Sequence, residues 1–112
     1  MCKAGEVKVM WKVSDSNIEG QGIFATQNIK RGVVIGDAYD IIGQVNDKYI
    51  AGDITILGLM HNHSNIPTAK PEMYNDTIYF EARKNIKKGE EITCDYNEYY
   101  NVLNIEKPQD KW

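Results

Sequence analysis

The first regular pattern runs from Glu6 to Val13, where Val7, Val9, Trp11 and Val13 alternate with Glu6, Lys8, Met10 and Lys12. A period of two predicts a half-buried strand. Ser14-Asp15-Ser16-Asn17 then reads as a polar break, and Glu19-Gly20-Gln21-Gly22 sets two glycines before apolar Ile23-Phe24-Ala25, a turn feeding a second strand. Ile41-Ile42-Gly43 and Thr77-Ile78-Tyr79-Phe80 predict further strands. Tyr49 to Met60 is mixed, and a short helix there has to absorb the cost of Gly52 and Gly58. From Glu98 to Trp112, the apolar residues Tyr99, Tyr100, Val102, Leu103 and Ile105 predict a docked tail. The chain therefore reads as mainly β, with short strands and little helix.

An internal echo organises this pattern. Ala25 to Tyr39 reads ATQNIKRGVVIGDAY and Ala82 to Tyr96 reads ARKNIKKGEEITCDY, sharing Ala, Asn, Ile, Lys, Gly, Ile and Tyr at an offset of 57. Each copy carries an Asn-Ile-Lys-basic-Gly turn, in which glycine can take a positive φ, followed by a segment that can extend into a strand. The echo predicts two similar β units. A true structural duplication and a shared turn chemistry both account for it, while two copies are too few for a solenoid.

With 112 residues and 12.8 kDa the chain is sized for a single domain over 1–112, with a core of about 7–100 and a C-terminal tail at 101–112. Hydrophobic residues at 42% and charged residues at 26% suit a packed core rather than a disordered chain. Thirteen Lys and Arg against sixteen Asp and Glu give a net charge of −3, and neither half of the chain holds a basic excess. Direct binding to duplex DNA is disfavoured on that count, and a basic partner is favoured. Cys2 and Cys94 are too few for a disulfide framework, and the sequence has no long apolar run and no signal-peptide pattern. The expectation is an intracellular protein without a membrane partner.

His61-Asn62-His63-Ser64 is the densest polar cluster. Histidines at i and i+2 share one face of a strand, but a closed metal site wants about four ligands and only Asp53 or Asp95 is offered as a supplement, so no metal is expected. Ser64 beside His63 lacks a nucleophile-elbow context. Gly20-Gln21-Gly22 allows close backbone approach by a cofactor, yet a lone G-x-G is common in turns. Glu90 to Glu98 is acidic and ends among Tyr96, Tyr99 and Tyr100. Two readings stay open there: a solvated face over core aromatics, or an aromatic slot with an acidic rim suited to a lysine side chain.

Taken in order, three segments resemble the SET domain of protein-lysine methyltransferases. Gly20-Gln21-Gly22-Ile23-Phe24-Ala25 is similar to the family's opening G-x-G motif. Leu59 to Pro67, LMHNHSNIP, resembles its N-H-S-C-x-P-N segment. Gly89 to Tyr96, GEEITCDY, matches its G-E-E-[IL]-T-x-[DN]-Y segment. The resemblance implies a β-clip fold of small sheets with a C-terminal pseudoknot, and transfer of methyl from S-adenosylmethionine to a lysine of a basic protein segment, a histone tail among the candidates. It implies that Gly20, Gln21, Gly22, Asn62, His63 and Tyr96 hold the cofactor, that Tyr96 is the catalytic residue, and that Tyr39, Tyr99, Tyr100 and Trp112 line the substrate channel. A non-catalytic module of the same fold that grips a peptide or cofactor is the alternative. Asn65 and Thr68 stand where the family often has Cys and Asn, Gln21 replaces a frequent aromatic, and a zinc-binding tail is absent. Compact SET proteins of viral and bacterial type are similar in these respects, which implies a cytoplasmic setting, or a host nucleus for a viral protein, and admits a homodimer.

Overall fold

The computed structural model describes residues 9–101 and 103–105; Glu6 to Lys8 of the first predicted strand, Val102, and the tail beyond 105 with Trp112 lie outside them. The elements are β1 (Trp11–Asp15), β2 (Gln21–Ala25), β3 (Val34–Val45), β4 (Lys48–Gly52), α1 (Ile56–Met60), β5 (Asn62–His63), β6 (Ala69–Tyr74), β7 (Thr77–Ala82), β8 (Glu91–Cys94) and α2 (Asn97–Asn101). They form two four-stranded sheets, ordered β1-β2-β8-β5 and β4-β3-β7-β6. Ile23, Ile35, Leu57, Ile78, Phe80, Ile86 and Ile92 are buried in the core that the two sheets share.

The echo has a structural counterpart. The two copies face each other and exchange equivalent bonds: Ile29 N donates to Ile86 O at 2.8 Å and Ile86 N to Ile29 O at 2.7 Å. Arg31 N donates to Asn85 Oδ1 and Lys88 N to Asn28 Oδ1, both at 2.9 Å. Gly32 and Gly89 take φ of +90° and +89°, a region open to glycine at no steric cost, and turn each copy into its outgoing strand. The flanking strands also exchange: β2 of the first unit pairs with β8 of the second, and β7 of the second with β3 of the first. Each sheet is thus centred on one strand from each unit, related by a local two-fold. The shared Asn, Ile and Gly of the echo are the residues that make this joint.

Several expected elements shift. The strand predicted from Glu6 to Val13 is displaced towards Asp15, and Val9 and Val13 are exposed while Trp11 is half-buried. The expected break at Ser14 and Asp15 pairs instead with Gly22 and Gln21. The mixed segment resolves into β4 and α1, with Thr55 capping the helix by accepting from Gly58 N at 3.1 Å. Gly58 is tolerated inside α1 because the helix lies close on β3, where an added Cβ would meet Ala38 O at 2.5 Å. Two strands escaped the sequence pattern. β4 and β6 belong to hairpins closed by Asn46-Asp47 and Asn75-Asp76, all four with φ between 50° and 67°, as type I′ turns require. Pro71 sits in β6, an edge strand, where a missing N–H is harmless. The tail docks as far as it is described: Ile105 is buried, bridges Tyr49 of β4, and donates its N–H to Tyr99 O at 2.9 Å.

Candidate active site

An open cleft of about 560 Å³ lies between the β1–β2 loop and the segment joining α1 to β5. Ile18 to Gln21 form one wall, Leu59 to His63 the other, and Tyr96 stands beside them. The loop closes on itself through Ser16 N and Gly20 O at 2.8 Å, with Gly20 at φ +45°. The second wall is fixed because β5 pairs in parallel with β8, setting Asn62 beside Thr93 and His63 beside Cys94. The chain leaves β8 directly into Asp95 and Tyr96, so two segments distant in sequence cross at the cleft.

A polar latch ties the walls. The Glu91 carboxylate, on β8 beneath Gly22, accepts from Ser16 Oγ at 2.9 and 3.0 Å and from Asn62 Nδ2 at 2.9 Å. Asn62 Nδ2 also lies 3.1 Å from Ser16 Oγ, 3.2 Å from Glu19 O and 3.3 Å from Gln21 O. Four acceptors therefore surround an amide nitrogen that carries two hydrogens. Gly22 is required in this arrangement because an added Cβ would overlap the Glu91 carboxylate. The Gln21 side chain points away from the latch, to Asp15 Oδ1 at 3.5 Å.

Behind the cleft His61 organises a buried network. Its ring Nδ1 lies 2.6 Å from Gly58 O and its Nε2 3.0 Å from the Tyr99 hydroxyl. Since Gly58 O can only accept, Nδ1 carries the proton and Nε2 accepts from Tyr99. Burial pushes the imidazole down to about 4, which keeps it neutral. Tyr96 Oη donates to His61 O at 3.0 Å, and the Tyr96 ring sits between the rings of His61 and His63 at 5.3 and 5.0 Å. Burial pushes the Tyr96 phenol up to about 12. On the other side of that ring, His63 Nδ1 accepts from Tyr96 N at 3.0 Å and Nε2 lies 3.1 Å from Asn65 Oδ1.

Gly20, Gln21, Gly22, Asn62, His63 and Tyr96 are thus gathered around one cleft or directly beneath it. The tyrosines expected to line a substrate channel stand apart from this cleft. Tyr99 is 5% exposed and spends its hydroxyl on His61, and Tyr39 donates to Gly58 O at 3.3 Å while meeting Tyr99 edge-on at 5.6 Å. Neither ring, nor that of half-buried Tyr100, lines the cleft; Tyr39 and Tyr99 brace it from behind. Trp112 is outside the described residues. The two histidines do not converge on one metal: the His61 nitrogens are both taken up internally, and the described residues hold no cluster of three potential ligands. Thr68 has a structural use, receiving Thr93 N and donating to Glu91 O, each at 3.0 Å, which fastens the segment after β5 to β8. Ser16, Glu91 and His61 were missed from the sequence as site residues. Glu91 lies within the GEEITCDY segment, but its place beneath Gly22, whose missing Cβ makes room for the carboxylate, is visible only in the fold.

Comparison with known proteins adds a family match over part of the chain and a fold. The SET domain family model matches residues 44–97. No curated protein matches the chain. A Plasmodium falciparum protein described as a candidate histone methyltransferase superposes with a TM-score of 0.65 at 22% identity, covering 80% of this chain and 95% of that one. A chain of ligand-free Polycomb Repressive Complex 2 from Chaetomium thermophilum gives 0.69 at 21%, covering 92% of this chain and 16% of that one. The same complex, bound to S-adenosylmethionine in an autoinhibited conformation, gives 0.68 at 18% with the same coverage. The likeness to these structures establishes a shared fold of small, curled sheets.

Proposed function

We propose that this chain is a compact SET-domain protein and acts as an S-adenosylmethionine-dependent protein-lysine N-methyltransferase. The observation that carries the reading is the placement of Tyr96, at the exit of β8 beside the cleft, with its hydroxyl tied to the carbonyl of the residue before Asn62. A phenol held well above neutral pH stays protonated, so Tyr96 serves as a hydrogen-bonding positioner rather than a base.

The residues present fit the cofactor. The cleft has the volume of a small-molecule site, with apolar Ile18, Leu59 and Met60 beside a corner rich in acceptors. The surplus of acceptors around Asn62 Nδ2 suits an ammonium group, such as the one on the amino-acid end of S-adenosylmethionine. The backbone of Gly20 to Gly22, with Asn62 and His63, would hold the cofactor, and when bound it supplies an electrophilic methyl group on a sulfonium. Tyr96 then has to orient an incoming lysine nitrogen through its hydroxyl oxygen. Lysine, with a reference pKa of about 10.4, must be neutral to react, and a half-buried position beside the Tyr96 ring disfavours its charged form. Alignment and exclusion of water supply the rate. Exposed Glu19 at the rim and the net charge of −3 favour a basic protein segment as substrate, a histone tail being one such segment.

Methyl transfer to an array of lysine peptides, followed by mass spectrometry, tests the reading. Tyr96→Phe is expected to lower transfer roughly a hundredfold or more, because the acceptor nitrogen loses its positioner. Cofactor affinity should stay within about threefold, since the lost hydroxyl bond is to His61 O and not to the latch. Equal loss of cofactor binding and transfer would contradict the role given to Tyr96; cofactor binding with no transfer to any peptide would favour a non-catalytic module.

A further inference from the structure

We propose that the two-fold joint between residues 25–32 and 82–89 is a docking surface for the phosphate backbone of a nucleic-acid duplex. These two segments carry Lys30, Arg31, Arg83, Lys84, Lys87 and Lys88, six of the chain's 13 basic residues, and none of its 16 acidic ones. The joint is therefore at +6 and the remainder of the chain at −9. A count along the sequence hides this, because the two segments are 57 residues apart and only the reciprocal Ile29 and Ile86 bonds bring them together.

The charge on the joint is exposed and only partly neutralised. Arg83 pairs with Glu98, and Lys84 with Glu90 at 3.4 Å. Among the described residues no carboxylate lies within salt-bridge distance of Lys30, Arg31, Lys87 or Lys88, and all four are exposed. Their backbone is rigid, since Arg31 N and Lys88 N are each held by the opposing asparagine. A preformed pair of basic turns related by a local two-fold suits a duplex, whose two phosphate strands are themselves related by local two-folds. The acidic remainder repels a polyanion and leaves the joint as the approach. A lipid surface is the poorer match, because the apolar residues of the joint, Ile29 and Ile86, are buried and offer nothing to insert.

The test is fluorescence anisotropy with a labelled 20-base-pair duplex of mixed sequence, on the full chain. Four phosphate contacts predict an affinity that falls roughly 150-fold between 50 and 200 mM salt. Lys87→Glu with Lys88→Glu, and separately Lys30→Glu with Arg31→Glu, should each weaken binding at least tenfold. The control pair Lys12→Glu with Lys48→Glu changes the net charge equally but lies off the joint, and should stay within twofold. Thermal melting checks that each pair folds; the backbone donors of the joint are retained in all of them. Absence of saturable binding at 50 mM salt, or equal loss in the control pair, would overturn the proposal. Equal affinity for phosphatidylserine vesicles or polyglutamate would overturn the assignment to nucleic acid.

Discussion

Gly22→Ala probes the tie between the cleft walls at its tightest point. Gly22 is buried and has no positive φ, so its backbone accepts alanine without strain, and the exchange would by itself stabilise by about 0.4–1 kcal/mol through the unfolded chain. The new Cβ, however, overlaps the Glu91 carboxylate and comes within 3.0 Å of Asn62 Nδ2. Glu91 has to withdraw, and its bonds to Ser16 and Asn62 are lost with it. Hydrogen bonds to a charged group contribute about 1.5–3 kcal/mol each. The withdrawn carboxylate regains water and the alanine gain remains, which leaves a net loss of about 2–4 kcal/mol. Urea unfolding of Gly22→Ala, Glu91→Ala and the double variant measures this. In the Glu91→Ala background the obstruction is gone, so the alanine at 22 should cost no more than about 0.5 kcal/mol, a coupling of about 1.5–3.5 kcal/mol or more. A Gly22→Ala cost that is small, or that is the same in both backgrounds, would refute the latch.

The joint and the buried histidine lead to two further expectations. Asn28→Ala and Asn85→Ala each remove one equivalent bond and should each cost about 1 kcal/mol by chemical denaturation; a difference beyond about 1 kcal/mol would speak against the two-fold. His61 has a folded-state pKa of about 4, below its ordinary 6.5, so between those values the unfolded chain binds the extra proton. The stability contributed by neutral His61 is therefore intact above pH 6.5 and is lost as pH falls towards 4, by roughly 3 kcal/mol at most. His61→Gln should flatten that part of the pH–stability profile, and an unchanged slope would place its origin elsewhere.

Some of this was legible in the sequence for identifiable reasons. The echo was visible because turn chemistry is specific: Asn28, Asn85, Gly32 and Gly89 each fill a position that few residue types can. The cleft residues Gly20, Gly22, Asn62, His63 and Tyr96 were visible as ordered motifs. The hairpins around Asn46-Asp47 and Asn75-Asp76 are hard to read because Asn-Asp is a weaker turn signal than Asn-Gly or Asp-Gly, although all four residues take positive φ. The positions of Tyr39 and Tyr99 were illegible because hydrophobic character is the same for a ring that lines a cleft and one that braces it. His61 looked like a partner for His63, but sequence spacing does not reveal that its nitrogens are consumed by Gly58 and Tyr99. Glu91 looked like part of an acidic face, and only its approach to Gly22 shows why the chain needs it there.

The central claim is that the cleft beside Tyr96 takes S-adenosylmethionine. Calorimetric titration of the purified protein with S-adenosylmethionine and with its demethylated product addresses it without any assumption about the substrate. The account predicts saturable one-to-one binding that Asn62→Ala weakens, since that side chain holds the acceptor corner of the cleft. Folded protein that binds neither ligand up to millimolar concentration would contradict it.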